Sequence, residues 1–276
     1  MAAAGPYGDA MPGGRRAEAL PELDVPEPGH QHRLTVLLRL LLLIPQFIVV
    51  FVLAVIAFFV TVAGWFSALV LGRLPDPIWA YLRQYLGYET RVNASAVLLT
   101  DRYPPFRLGP PVEYPVQVEV ERTDLNRLAV LFRIILMIPA AIVSYVVWAG
   151  WWSVAFLCWL VVLIMGRCPR PLFEATSAVL RYRMRMGAYT MMLTSAYPKR
   201  LFGDEGAPLA GTLEGTGGPG ARSATRPLVL NTGGKALLVI FIVLGALTAI
   251  GNGVGSGTEG GTGDGTGTYS TAPAIP

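Results

Sequence analysis

Residues 34–71 read LTVLLRLLLLIPQFIVVFVLAVIAFFVTVAGWFSALVL, 38 residues carrying one formal charge, Arg39. At an offset of 94, residues 128–165 read LAVLFRIILMIPAAIVSYVVWAGWWSVAFLCWLVVLIM, again 38 residues with one charge, Arg133. Apolar runs of about 18 residues or more are long enough to span a bilayer as helices. Buried inside a soluble domain, each would need a very large core around it.

The repetition extends beyond these runs. Residues 21–104 and 115–198 align without a gap, and 28 of the 84 positions are identical. The identities cluster in three places: Arg33-Leu34, Arg39 and Ile44-Pro45 against Arg127-Leu128, Arg133 and Ile138-Pro139; Gly72-Arg73-x-Pro75-x-Pro77 against Gly166-Arg167-x-Pro169-x-Pro171; and Leu99-Thr100-x-x-Tyr103-Pro104 against Leu193-Thr194-x-x-Tyr197-Pro198. A duplication fixes the unit of architecture. At 53% hydrophobic and 14% charged residues, the chain is too apolar for an ordinary soluble domain. A third uncharged run covers Ala236–Val254.

The sequence therefore predicts an all-α integral membrane protein built from two tandem repeats and a C-terminal transmembrane helix. The expected organisation is a disordered tail (1–20), membrane repeat 1 (21–104), a connector (105–114), membrane repeat 2 (115–202), a flexible linker (203–234), the C-terminal transmembrane helix (235–254) and a disordered Gly/Thr-rich tail (255–276). In each repeat a second, amphipathic helix follows Gly-Arg-x-Pro-x-Pro, near 78–100 and 172–194. Aromatics on one side and arginines on the other suit it to the headgroup plane. Alternation over 114–121, with a fainter counterpart at 22–25, predicts short β-strands between the repeats.

Thirty-eight helical residues measure ~57 Å, against a hydrocarbon core of ~30 Å. Two readings follow. In the first, each segment is a hairpin of two spans turning near Val52 and Val146, with Ala149-Gly150 the nearest turn chemistry. In the second, each is one long, kinked and tilted helix with Pro45 or Pro139 in its first turn, and the repeats are inverted. Basic residues favour the hairpin. Lys and Arg number 4 before Leu40, 8 between the uncharged runs, 10 from Arg167 to Lys235, and none beyond. If every basic stretch lies in the cytoplasm, each long segment crosses an even number of times. The expectation is a multi-pass protein of the cell (inner) membrane, with five spans, a cytoplasmic N-terminus and an extracytoplasmic C-terminus.

The succession Arg-Leu-x-x-x-x-Arg…Ile-Pro, then Gly-Arg-x-Pro-x-Pro, then Leu98-Leu99-Thr100-Asp101-Arg102-Tyr103-Pro104-Pro105-Phe106 resembles the domain of unknown function 4389 family, over roughly residues 20–202. The resemblance implies a duplicated bacterial membrane protein, mainly actinobacterial, and brings no established activity. Two lysines against 20 arginines fit such a GC-rich source. Family members often carry His after Ile-Pro; here Gln46 and Ala140 stand there.

Chemistry is sparse. No nucleophile elbow, Walker loop, dinucleotide fingerprint or HExxH motif occurs, so no enzyme activity and no cofactor are expected. His30 and His32 sit in a Pro-rich stretch and read as solvated linker rather than metal ligands. Cys158 and Cys168 read as free thiols. Neither long run contains Asp or Glu, which argues against proton-coupled transport. The repeated arginines are the best lead. In the hairpin reading Arg33, Arg39 and Arg73 meet at one interface, as do Arg127, Arg133 and Arg167. Each trio could clasp an anionic lipid headgroup, at ~1 kcal/mol per basic residue; the plainer alternative is that they snorkel and fix topology. The sequence thus points to a non-enzymatic scaffold, accessory or anionic-lipid-interacting membrane protein, with a small-solute channel or transporter as the alternative class. Expected partners are membrane lipids and a membrane-protein partner or second copy. Nucleic acid is excluded by the scatter of the arginines.

Overall fold

The computed structural model describes residues 20–27, 29–111, 113–204 and 225–258, with side chains to residue 251; most of both expected tails and of the linker lies outside them. The elements are β1 (Glu22–Asp24), α1 (Arg33–Leu71), α2 (Asp76–Ala96), β2 (Gln117–Glu119), α3 (Arg127–Leu131), α4 (Arg133–Ser153), α5 (Ala155–Met165), α6 (Arg170–Thr190) and α7 (Thr232–Thr258). Three helices are long and apolar enough to cross a membrane: α1, α4 and Thr232–Gly251 of α7.

The hairpin reading is overturned. α1 is one helix of 39 residues that runs through Val52 and through Pro45 without ending. Its length follows from its composition: nothing between Arg33 and Leu71 supplies turn chemistry. The first break is Gly72, whose φ of +70° makes the left-handed cap that a Cβ would disfavour. Gly166 repeats this at φ +64°. In the second repeat the rod is notched at Phe132 and Val154. Each has near-helical backbone and passes the hydrogen-bond ladder on: the N–H of Leu136 donates to Phe132 and that of Cys158 to Val154. Neither notch reverses the chain.

Gly150, read from sequence as a hint of a turn, serves a contact instead. A Cβ on Gly150 would collide with the Phe241 carbonyl of α7, and one on Gly245 with the Val146 carbonyl of α4. The two glycines let the backbones touch, the packing device of small residues at helix crossings.

α1 and the α3–α5 rod lie antiparallel and meet at both ends. Near one end the Trp159 indole N–H donates to the Val36 carbonyl at 2.8 Å. Near the other, Trp65 donates to Val130 at 3.1 Å. Trp159 and Val130 stand 94 residues after Trp65 and Val36, so these are one contact made twice with the repeats exchanged. An internal pseudo-twofold axis follows, the arrangement an isologous dimer adopts. β1 and β2 obey it: they pair antiparallel with Leu23 opposite Val118 and Asp24 opposite Gln117, each pair being the other's image.

α2 runs back along α1, and α6 along α4. The two meet across the axis, where Leu86 approaches Gly187 and Arg183 donates to its own repeat-mate position, Glu89, at 3.3 Å. The amphipathic helices are not surface elements. Leu82, Leu86 and Tyr88 of α2 are fully buried, and α6 is buried around almost its whole circumference. Arg91, Arg181 and Arg185 are buried, and much of the helices' amphipathicity therefore serves protein contacts. The stretch expected as linker also ends in the core: Leu228 and Leu230 are buried, and Asn231 opens α7 by accepting from the Gly234 N–H at 2.6 Å.

Candidate functional site

The six arginines singled out from sequence fall into two kinds. Arg39 and Arg133 are buried, each 4% exposed. Arg39 donates to the carbonyls of Ser95 and Thr100, and pairs with Asp101 at 2.7 Å. Arg133 donates to the carbonyl of Thr194, the counterpart of Thr100, and lies 4.0 Å from the centre of the Tyr189 ring. Tyr189 replaces Ser95, and Ser195 replaces Asp101. One position is thus satisfied by an ion pair in repeat 1 and by an aromatic face in repeat 2. Each guanidinium ties its long helix to the Leu-Thr-x-x-Tyr-Pro turn of its own repeat. Neither faces outward towards a headgroup.

Asp101 also serves the start of α1. Its carboxylate accepts from the His32 N–H at 3.2 Å and the Thr35 hydroxyl at 2.6 Å, placing negative charge at the positive end of the helix. His30 and His32 are exposed, while Gln31 between them is buried and donates to the Leu98 carbonyl.

Arg33, Arg73, Arg127 and Arg167 are exposed. The structure regroups them. Arg33 donates to the Ile164 carbonyl at the end of α5, and His30 bridges to Arg167, so Arg33 and Arg167 share one end of the rods. The Arg127 Nε lies 3.4 Å from where a Cβ on Gly72 would stand, so Arg127 and Arg73 share the other end. Arg33 and Arg73 are ~57 Å apart along α1. The trios expected from sequence are replaced by two inter-repeat pairs. Among the described residues none of the four forms an ion pair with a carboxylate. Arg33, Arg127 and Arg167 border runs of exposed apolar residues, and Arg73 follows Leu71, itself 56% exposed.

Sequence reasoning missed a second set of buried cations. Arg91 donates to the carbonyls of Arg107 and Leu108, and its counterpart Arg185 to those of Pro21 and Lys199. Burial, aided by Arg181, pushes the Arg185 guanidinium down to about 10, against the pull of Asp204. The signal was present: Arg91 and Arg185 are identical positions inside helices otherwise read as surface-lying. Gln46, noted only as a departure from histidine, is fully buried, donates to the Pro104 carbonyl at 2.6 Å and accepts from the Tyr88 hydroxyl. Ala140 makes no such bridge.

On the axis, α2 and α6, with Ser144 of α4, line a cavity of about 290 Å³ in which Glu89, Asn93 and Arg183 stand beside Leu86, Leu180 and Met184. Among the described residues no group of three or more His, Cys, Asp or Glu side chains could hold a metal ion.

No curated protein and no solved structure matches the chain. A family model does, twice: residues 33–107 and 127–201, 75 residues each and again offset by 94. Together the matches cover more than half of the 276 residues. Each begins at an exposed arginine that opens a long helix and ends beyond the turn held by the buried one. The chain belongs to the DUF4389 family, a domain of unknown function, and carries two copies of it.

Proposed function

We propose that this is a non-enzymatic, membrane-embedded protein whose exposed arginine pairs, Arg33 with Arg167 and Arg73 with Arg127, bind anionic lipid headgroups. The observation that carries the reading is the surface of α1, α4, α5 and α7. Leu41, Phe51, Phe59 and Val70 on α1, Ile135 and Ile142 on α4, Phe156 and Ile164 on α5, and Leu247 and Ile250 on α7 are each 55–71% exposed. No formal charge interrupts Leu40–Leu71, Ile134–Gly166 or Ala236–Val254. Apolar surface this extensive needs lipid or a partner over it. Cations bordering it that form no ion pair with a carboxylate among the described residues suit a negatively charged headgroup layer. A scaffold or accessory role fits this reading, with Arg39, Arg91, Arg133 and Arg185 bound to carbonyls of the fold itself.

The test is retention of anionic phospholipid by purified protein in native mass spectrometry. Changing Arg33, Arg73, Arg127 and Arg167 together to Gln is expected to reduce retained phosphatidylglycerol and cardiolipin at least several-fold. Unchanged retention would overturn the headgroup reading. One observation favours the alternative of small-solute conduction, namely the cavity on the axis, where Glu89, Asn93 and Arg183 stand among leucines and methionines. Solute or ion flux into liposomes containing the protein would support that alternative.

A further inference from the structure

Building on the membrane-embedded reading, we infer that α1 and the α3–α5 rod lie within the plane of the membrane, sunk into a single leaflet, with the pseudo-twofold axis along the membrane normal. The two copies then present one apolar floor to acyl chains of the same leaflet, and the β1–β2 connectors face water.

The inference rests on what stands level with the middle of α1. Its midpoint is Val52. The Tyr81 hydroxyl of α2 donates to the neighbouring Leu53 carbonyl at 3.2 Å. On a different side of that same stretch of α2, Ala80, Arg83, Gln84 and Gly87 line a cleft with Gln117 and Val118 of β2. The two-stranded sheet therefore sits level with the centre of the long helix. It carries Glu22 and Glu119 opposite each other, with side chains 53% and 61% exposed, and Arg226 bridges them at 3.1 and 3.0 Å. Were α1 to cross the bilayer, these charges and the irregular chain around them would stand near mid-membrane. Exposed irregular backbone does not occur in hydrocarbon, and exposed charges there are costly. The Tyr103–Phe106 aromatic pair, 44% and 61% exposed, flanks α1 at Gln46 and would be stranded at similar depth. Laid flat, the molecule places that pair at the headgroup level where interfacial aromatics collect.

Three further facts fit. A helix about 10 Å across fits the ~15 Å half-thickness of the hydrocarbon core, whereas ~57 Å overshoots the full ~30 Å. The exchange of repeats about the axis leaves both on the same side, so every basic stretch can remain on one face. The basic-residue distribution asked each long segment for an even number of crossings, and zero is even. Finally, Arg33 with Arg167 and Arg73 with Arg127 come to lie at the two ends of the floor, where it meets headgroups.

The test is a depth profile along one face of α1. Leu41, Ile48, Phe59, Phe66 and Val70 fall within about 40° of one another on the helix and are each 59–71% exposed. Each is replaced by a spin-labelled cysteine in a Cys158→Ala, Cys168→Ala background, and collision with oxygen and with a water-soluble nickel complex is measured in vesicles of phosphatidylcholine and phosphatidylglycerol. An in-plane helix gives the same depth at all five sites. A crossing helix gives a depth that climbs to a maximum between Ile48 and Phe59, about the helix midpoint, and falls again, by ~1.5 Å per residue, and that result overturns the inference. Loss of anionic-lipid retention in the arginine variants tests the headgroup reading separately, because depth does not depend on it. Five sites all open to water would overturn both.

Discussion

The Trp159 indole donates to the Val36 carbonyl across the repeat boundary, at 2.8 Å. Its image, Trp65 to Val130, makes the same bond at 3.1 Å. Trp65 and Trp159 are among the identities between repeats, and the bond gives that identity a cause: each copy must offer an indole donor for the pair to close at both ends, the acceptor being a main-chain carbonyl. Phe at either tryptophan keeps most of the apolar contact and removes the N–H. A buried neutral hydrogen bond contributes about 1 kcal/mol net. Trp65→Phe and Trp159→Phe should each lower stability in detergent by about that much, to a similar degree, as read by denaturant titration.

Buried and exposed arginines should separate cleanly. Arg39→Met strands Asp101 and the turn carbonyls, and loss of one partner of a buried pair costs about 3–5 kcal/mol. Arg33→Gln removes one carbonyl contact at an exposed site and should stay within about 0.5 kcal/mol. The expected pattern is inverted for lipid: Arg39→Met keeps anionic-lipid retention in whatever fraction folds, and Arg33→Gln with Arg167→Gln reduces it. Thermal unfolding and native mass spectrometry on the same preparations check both halves.

Gly150 and Gly245 set the distance between α4 and α7. Ala at either forces the backbones apart, an overpacking cost of about 1–3 kcal/mol. Cysteines at Ser153 and Thr248, whose hydroxyls lie 3.2 Å apart, should form a disulfide readily in the parent and poorly with Gly245→Ala. Efficient crosslinking in the variant would show that the crossing does not depend on the glycine.

Asp204 makes folding sensitive to acid. Burial raises its carboxyl, but the Arg181 guanidinium at 2.6 Å and the Leu228 N–H outweigh burial and hold it below the usual carboxylate range. A group lowered in the folded state lends stability above its unfolded value of about 3.9 and loses it as pH falls through the folded one. Unfolding followed from pH 6 to pH 2.5 should show this loss, and Asp204→Asn should be less stable at pH 6 while losing less on acidification.

The Cys168 thiol is 3% exposed, and burial, with Cys158 nearby, pushes it up to about 12. It should resist maleimide at pH 7.5 in the folded protein and react once denatured. Mass spectrometry before and after denaturation reads this directly.

The duplication, its offset of 94 and the apolar segments were legible in the sequence because identity and hydropathy are local signals. Pairing of Glu22–Asp24 with Gln117–Glu119 was visible only as alternation in the second copy, since Pro26 interrupts the first. The path of the long segments was not legible. Length against bilayer thickness and the spread of arginines both argued for hairpins, and both assumed that a long apolar helix must cross. Nor could composition tell Arg39 from Arg33: both are repeated and both border leucines. What separates them is Asp101 and Thr100, 61 and more residues away, brought near only when α2 folds back along α1. α6 misled for a related reason, because arginines that look solvent-seeking in a helix are satisfied by Asp204 and by the carbonyls of Pro21 and Lys199.

The claim on which the rest depends is that each copy's long apolar segment is an unreversed rod. Spin labels at Leu34 and Val70, 68% and 71% exposed, bracket α1. Pulsed dipolar spectroscopy in lipid nanodiscs should report ~54 Å between them, 36 residues at 1.5 Å each. A distance below ~20 Å, the separation of the two legs of a hairpin, would contradict the account.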